Sequence, residues 1–394
     1  MRILILTGPT LGLVFPLVPL TWALRAAGHE VALAGPENAA PAVSGAGLPF
    51  VALPPQDITD LVRFDRNGEQ IAFPHGEEET LSFMGHGFGR LAAFSIGGLN
   101  AFAARWQPDL VVGTTYHFAA PLLAMRLGVP WVNQAVEVTS LPLLDRAAAE
   151  ELAPELAALG RTELPEPDLY LDTCPPSLSE GPVPGRSPAR YVPFNTTAPL
   201  EPWMTERSGK PRVCVTLGSR ITRGKPGGVG TLEDLIDTLS DLDAEILVAV
   251  NKEKAADLRL PAVRGLRAGW LPLDSVVPTC DAVVHHGGGN TMYSCLASGV
   301  PQLVLPYMLN NRIAARRLAG TAAAEVLEPG EDSAENILAA CRELLDNPAH
   351  RARAGAMHAE IAAMPSPAAN VRLLEKLVPG GITPTATGGL HVVR

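Results

Sequence analysis

The chain is 394 residues long, enough for two domains that each bury a core. Apolar residues make up 47% and charged residues 18%, the balance of an ordinary soluble globular protein. The net charge of −10, with no basic stripe, argues against a nucleic-acid partner. The five cysteines (Cys174, Cys214, Cys280, Cys295, Cys341) show no CxxC spacing and read as free thiols of a reducing cytoplasm, not disulfides or a zinc site.

The N-terminus imitates a signal peptide, with Arg2 followed by apolar residues to Leu24, but Gly8-Pro9, Pro16 and Pro19 break the run. Arg2 to Leu6 reads as a strand. Pro16 suits the first turn of a helix whose Leu17, Leu20, Leu24 and Ala27 share a face, Gly28 caps it, and Glu30 to Ala34 begins a second strand. Further strands are expected at 48–53, 109–113, 129–133 and 168–172, and helices at 37–45, roughly 78–106, 117–127 and 145–159. Such alternation implies a parallel sheet covered on both faces. The run Glu77-Glu78-Glu79 reads as a solvated helix face. No segment is long enough to span a bilayer, so no membrane is expected.

A Pro- and Gly-rich stretch over 181–211 carries the connection to a second sheet. There Arg212 to Leu217 is a strand ending in the close-approach turn Gly218-Ser219. Gly269-Trp270-Leu271-Pro272-Leu273 offers an aromatic surface suited to stacking on a base, with a core tryptophan as the plain alternative. The strand ending Val283-Val284 runs into His285-His286-Gly287-Gly288-Gly289, and a helix begins at about Asn290-Thr291. Glycines at a strand-to-helix turn let backbone N–H groups approach a diphosphate, and the helix N-terminus adds partial positive charge. Pro301 to Pro306 is a strand whose loop, Tyr307 to Arg312, opens onto the same cleft. Ligands of open α/β sheets bind outside the carboxyl ends of the strands, so four strand ends describe one site. A last amphipathic helix carries Val371, Leu373, Leu374 and Leu377, and residues 379–394 read as a mobile tail.

With "VTLGS", "AGWLPLDSVVPTCDAVVHHGGGNT" and "SGVPQLVLP" in order, and "FPLVPLTWALRAAGHEV", "PDLVVGTTYHFAAPLLAMRLGVPWV" and "CPPSL...YVPFN" before them, the chain resembles GT-B glycosyltransferases. The likeness runs from residue 1 to about residue 375. It is to the actinomycete enzymes that attach deoxysugars to polyketides, including the C-glycosylating angucycline and tetracycline types. The resemblance implies an α/β fold of two Rossmann-like domains with parallel sheets facing across a cleft. Residues 1–190 would form the acceptor-binding domain, 191–211 the linker, 212–363 the donor-binding domain, and 364–378 a helix crossing back, ahead of the 379–394 tail. It also implies an inverting displacement with a dTDP-deoxysugar as co-substrate, an aromatic polyketide acceptor, and no cofactor or metal. A homodimer and an auxiliary activator protein both stay open.

By the same resemblance His285, with Gly287, Gly288, Gly289, Asn290 and Thr291, clamps the diphosphate. Gly218 and Ser219 close over it, and Trp270 carries the base. His286 is explained equally well as a buried structural histidine. Two departures stand out. Where most relatives carry a catalytic histidine in a Gly-His step, this chain has Gly12-Leu13. Where they carry Asp-Gln against the sugar hydroxyls, it has Asn310-Asn311. A leucine cannot take a proton. The replacement base expected first is Glu137, with Asp65 and His117 behind it, although Asp65 also fits turn chemistry in "FDRNG" and Glu137 a solvated helix start. A second reading needs no base, because an acidic phenol ionises partly by itself and orientation carries the rate. A third makes the chain a catalytically impaired homologue that binds nucleotide and helps an active transferase. The acceptor would meet Leu13, Phe64, Phe73, Phe83 and Tyr116, and residues 57–90, which also carry Met84 and Phe88, suit a lid with apolar contacts for a flat hydrophobic molecule.

Overall fold

The computed structural model describes residues 1–138, 141–179, 185–218, 231–258 and 265–378, apart from the side chains of 252–254. Two sheets organise them. The first holds β1 (Arg2–Leu6), β2 (Glu30–Pro36), β3 (Phe50–Leu53), β4 (Leu110–Thr114), β5 (Trp131–Gln134), β6 (Leu169–Asp172) and β7 (Arg186–Pro188), in the order β3-β2-β1-β4-β5-β6-β7. The second holds β8 (Arg212–Thr216), β9 (Glu245–Ala249), β10 (Leu266–Gly269), β11 (Ala282–His285), β12 (Gln302–Val304) and β13 (Ala324–Val326), in the order β10-β9-β8-β11-β12-β13. Every strand pair is parallel. Each order reverses beside its first strand, which is the doubly wound arrangement, and the two domains together form the GT-B fold.

The central strands are apolar through their middles, with polar residues at their ends, because both faces are covered. Along β1, Ile3 and Ile5 enter one core while Leu4 and Leu6 enter the other. In the second sheet Val213 and Val215 face one core and Cys214 the opposite one. Strand β7 lies in the stretch read from sequence as linker. Its three residues pair with β6, and the proline closing it is tolerated because the strand is an edge.

The longest helix, Glu77–Trp106, has 30 residues. Gly85 and Gly89 lie four residues apart on one of its faces and let the Pro142–Glu151 helix come close. A Cβ on Gly85 would stand 2.3 Å from the Leu144 carbonyl oxygen, and one on Gly89 2.7 Å from Glu151 Cβ. Its first turn keeps Glu77, Glu78 and Glu79 exposed, as expected of a solvated face. Glu79 accepts from the backbone N–H of His75 and Gly76, while Glu77 meets Arg316 at 3.3 Å and Arg312 at 3.7 Å, both on a helix of the other domain.

Behind the cleft the domains share an apolar cluster in which Val138, Leu178 and Tyr191 pack with Met292, Tyr293 and Leu296. The Pro367–Leu377 helix then returns to the first domain. Its Val371 and Leu374 are buried in the same core as Leu17, Leu20 and Leu24. Among the described residues no helix is long and apolar enough to cross a membrane.

The glycine contacts give opposite signs for two substitutions in one helix. In Gly85→Ala the new methyl meets backbone, so overpacking of about 1–3 kcal/mol outweighs a gain of roughly 1 kcal/mol in helix propensity. Gly97→Ala meets nothing within 4 Å and keeps the propensity gain. Thermal unfolding should show Tm falling for the first variant and holding or rising for the second. An unchanged Tm in Gly85→Ala would contradict the packing account.

Candidate active site

The carboxyl ends of both sheets face one cleft, and its centre is the turn after β11. His285 still belongs to the sheet, in register with Thr216 on β8 and Val304 on β12. Its side chain is fully buried, with Nε2 2.7 Å from Gln302 Oε1 and Nδ1 accepting the Gly287 N–H at 3.0 Å. Burial, then the neighbouring His286, push its pKa down to about 3, so it is neutral. Both nitrogens are occupied and none reaches the cleft. This corrects the reading of His285 as diphosphate clamp: it is the brace that holds the glycine turn.

His286 is the first residue past the sheet and lines the cleft on both sides. Its ring lies between two glycines. A Cβ on Gly218 would come within 2.6 Å of His286 Cε1, and one on Gly288 within 2.6 Å of Nε2. Gly218 also sits at φ 76, which an L side chain rarely adopts. Burial lowers the His286 pKa to about 4, so it offers a neutral imidazole. The Asn311 amide donates to the His286 carbonyl at 3.1 Å and fixes the turn from beneath.

The nucleotide side of the cleft is a pocket of about 240 Å³. It brings together Gly218, Trp270, His286, Gly288, Gly289, Asn290 and Thr291, with Thr10, Leu11 and Phe15 from the first domain. Trp270 presents its ring there while Nε1 donates to the Thr196 carbonyl at 3.0 Å. The helix Gly289–Ser298 starts at the pocket, and its first intrahelical bond comes from Met292 to Gly288. The N–H groups of Gly289, Asn290 and Thr291 are therefore available to an anion. Gly287 does not line the pocket, since its N–H is held by His285. Ser219 lies outside the described residues.

The other side is a cavity of about 610 Å³ between the domains. Leu13 and Tyr116 line it as expected, and so does Glu137, which is half-buried with its open surface toward the cavity. Burial raises the Glu137 carboxyl to about 8. Its Oε2 would stand 3.0 Å from a Cβ on Gly289, so the carboxyl abuts the start of the anion-binding helix. Asn310 lines the cavity beside the Tyr116 hydroxyl, while Asn311 is committed to the His286 carbonyl.

Five residues expected on this side, Asp65, His117, Phe64, Phe73 and Phe83, do not line the cavity. Asp65 caps its own turn by accepting from the N–H groups of Asn67 and Glu69 at 2.8 Å each. The Glu69 bond leads in holding its pKa low, and the residue is away from the cavity. His117 is buried in a neighbouring cavity with its pKa lowered to about 4 by desolvation. Phe64 and Phe73 are exposed, and Phe73 makes an edge contact with Phe83 at 5.7 Å away from the cavity. Of the apolar residues expected in the 57–90 lid, Met84 and Phe88, one helical turn apart, form the wall, with Phe88 stacked on Tyr116 at 4.8 Å. Tyr307 and Met308 face them from the second domain. The i, i+4 spacing of Met84 and Phe88 was the available signal, but it matches an ordinary core stripe too.

Comparison with known proteins agrees with this geometry. Residues 22–218 match the N-terminal domain, and residues 233–377 the C-terminal domain, of the erythromycin biosynthesis protein CIII-like family. The chain is 35% identical to the L-demethylnoviosyl transferase of Streptomyces niveus, over 93% of this chain and 96% of that one. It is also 35% identical to the elloramycin glycosyltransferase ElmGT of Streptomyces olivaceus, over 93% and 95%. The Streptomyces sp. SF2575 glycosyltransferase SsfS6, solved with thymidine diphosphate, superposes with a TM-score of 0.86 at 40% identity, covering 95% of this chain and 99% of that one. With both domains matched and the cleft built from both, the chain belongs to the EryCIII-like glycosyltransferases of actinomycete antibiotic biosynthesis.

Proposed function

We propose that this glycosyltransferase moves a deoxysugar from a dTDP-sugar to a flat aromatic polyketide, with Glu137 as the base and inversion at the anomeric carbon. The observation that carries the reading is the carboxyl of Glu137 against the Gly289 turn, in the same cavity as the residue where relatives keep their histidine. A donor seated on the Gly289–Thr291 N–H groups puts its anomeric carbon near that carboxyl. Leu13, Met84 and Phe88 would hold an apolar ring beside it. The thymidine diphosphate bound to SsfS6 supports the choice of nucleotide. Helix N-terminus, backbone N–H groups and the His286 imidazole meet the leaving diphosphate, so the reading assigns no step to a metal. Asn310 is the side chain left open to the sugar hydroxyls.

The bond formed is C–C or C–O. A phenolate carries nucleophilic density on its ortho carbon as well as on oxygen. In both outcomes the carboxylate takes the phenol proton while the anomeric C–O bond to the diphosphate breaks; after carbon attack the ring C–H proton is then lost as the dienone returns to the phenol. The apolar position at Leu13 leans toward carbon, because no second base sits beside the oxygen.

A base must be ionised, and the Glu137 carboxyl titrates at about 8. Turnover should therefore rise with pH through about 8, and Glu137→Gln should remove that limb while leaving dTDP affinity intact. Full activity in the variant would retire Glu137. The same shift has a stability consequence. The folded pKa lies above the ordinary carboxylate value, so the unfolded chain holds fewer protons between roughly pH 4.5 and 8, and stability falls as pH rises across that window. Glu137→Gln should raise Tm more at pH 8 than at pH 5.

The two histidines separate by calorimetry. His286→Ala should weaken dTDP binding about ten- to a hundredfold, the effect of losing one hydrogen bond to a charged group. His285→Ala should chiefly lower Tm, since it strands Gln302 and the Gly287 N–H. Unchanged dTDP affinity in His286→Ala would overturn the assignment.

A further inference from the structure

A second cavity, of about 570 Å³, lies in the first domain and shares no lining residue with the cleft. Its floor is set by strand register. Asn133 on β5, Tyr170 on β6 and Arg186 on β7 are successive cross-strand partners and so point to one face of the sheet. Trp131, two residues before Asn133, forms the adjoining wall, and its Nε1 donates to the Glu166 carbonyl at 3.0 Å, which holds the loop Leu164–Pro167 over the opening. Asp145 closes the far side from the Pro142–Glu151 helix.

The charges do not balance. The Arg186 guanidinium lies 4.4 Å from the Tyr170 ring centre and 3.5 Å from the Asp172 carboxylate, so much of its charge is already met. Asp145 and Glu166 both line the space. Burial, and after it the charge of Glu166, raise the Asp145 carboxyl to about 6, against the opposing pull of Arg186. Asn133 Oδ1 is buried without a hydrogen-bond partner. An anion would meet two carboxylates here, and a purely apolar guest would strand the Asn133 oxygen. What fits has an apolar face for the indole, a donor for Asn133, and positive charge for the acids.

We propose that this cavity is a second binding site, for a hydroxylated ring bearing a protonated amine, an amino-sugar chemistry. The amine sits between Asp145 and Glu166, one hydroxyl donates to Asn133 Oδ1, and the ring packs against Trp131. The site is independent of the role given to Glu137.

The test uses the full chain at about pH 7.5, where Asp145 is ionised. Methyl α-D-glucosaminide and the neutral methyl α-D-glucoside are titrated separately, by saturation-transfer NMR and calorimetry. Saturable millimolar binding of the glucosaminide is expected, with roughly fivefold weaker binding of the glucoside and a similar loss in Asp145→Asn. Saturating thymidine diphosphate should leave the binding unchanged. Equal affinity for the two glycosides would overturn the site without recourse to any variant. So would displacement by thymidine diphosphate, unaltered binding in a folded Asp145→Asn, or no saturable binding up to about 50 mM.

Discussion

The hydrogen bond from the Gly287 N–H to His285 Nδ1 is the constraint on which the cleft depends. It ties the first residue pair beyond β11 back onto a side chain locked in the sheet by Gln302. With that turn fixed, His286 has one place to go, between Gly218 and Gly288, and the next helix starts with its N–H groups aimed at the same point. The Asn311 amide reinforces the turn from the second domain's own loop. Adjacent histidines thus divide the labour. One holds the geometry of the turn, and the other lines the cleft, where the proposed function gives it the diphosphate at low reorganisation cost.

Much of this was legible in the chain. Uninterrupted apolar strands alternating with helical periodicity gave two doubly wound domains, because a strand buried on both faces has no polar phase to hide. The glycine run after β11 pointed to the turn and helix start that the structure places at the pocket. What escaped was set by distances no local pattern encodes. The choice between His285 and His286 turned on a single residue of register, namely where the sheet ends. Phe64, Phe73 and Phe83 resembled cavity lining as much as Met84 and Phe88 did. The approach of the Pro142–Glu151 helix at Gly85 and Gly89 decides which face of the long helix is left over. The three-residue strand β7 exists because β6 offers a free edge, and Glu77 finds its arginines on the other domain.

Leu13, on the short Leu11–Val14 helix after β1, and Glu137, on the segment after β5, line one cavity. On the proposed reading, with Glu137 as the base, the acceptor proton leaves toward the segment after β5 and not toward the one after β1. The strength of such a base comes from the discomfort of its charge. The desolvation that raises Glu137 is the same desolvation that the folded state must tolerate when the group ionises. Its neighbours soften that demand unevenly, with the helix start at Gly289 favouring negative charge and the Tyr116 ring offering none.

The returning helix gives the chain an unusual order of assembly. Val371 and Leu374 belong to the core built around Leu17, Leu20 and Leu24, so the first domain is made of both ends of the polypeptide. On the ribosome its opening residues must wait for almost the entire second domain to be translated before that face is covered. Val371 follows Leu24 by 371 − 24 = 347 residues, so at about 5–20 residues per second the delay is roughly 17–70 s, during which an apolar stripe stays open to chaperones. The nascent donor domain, whose strands are contiguous in sequence, can close first and serve as the platform onto which the older half is finally sealed.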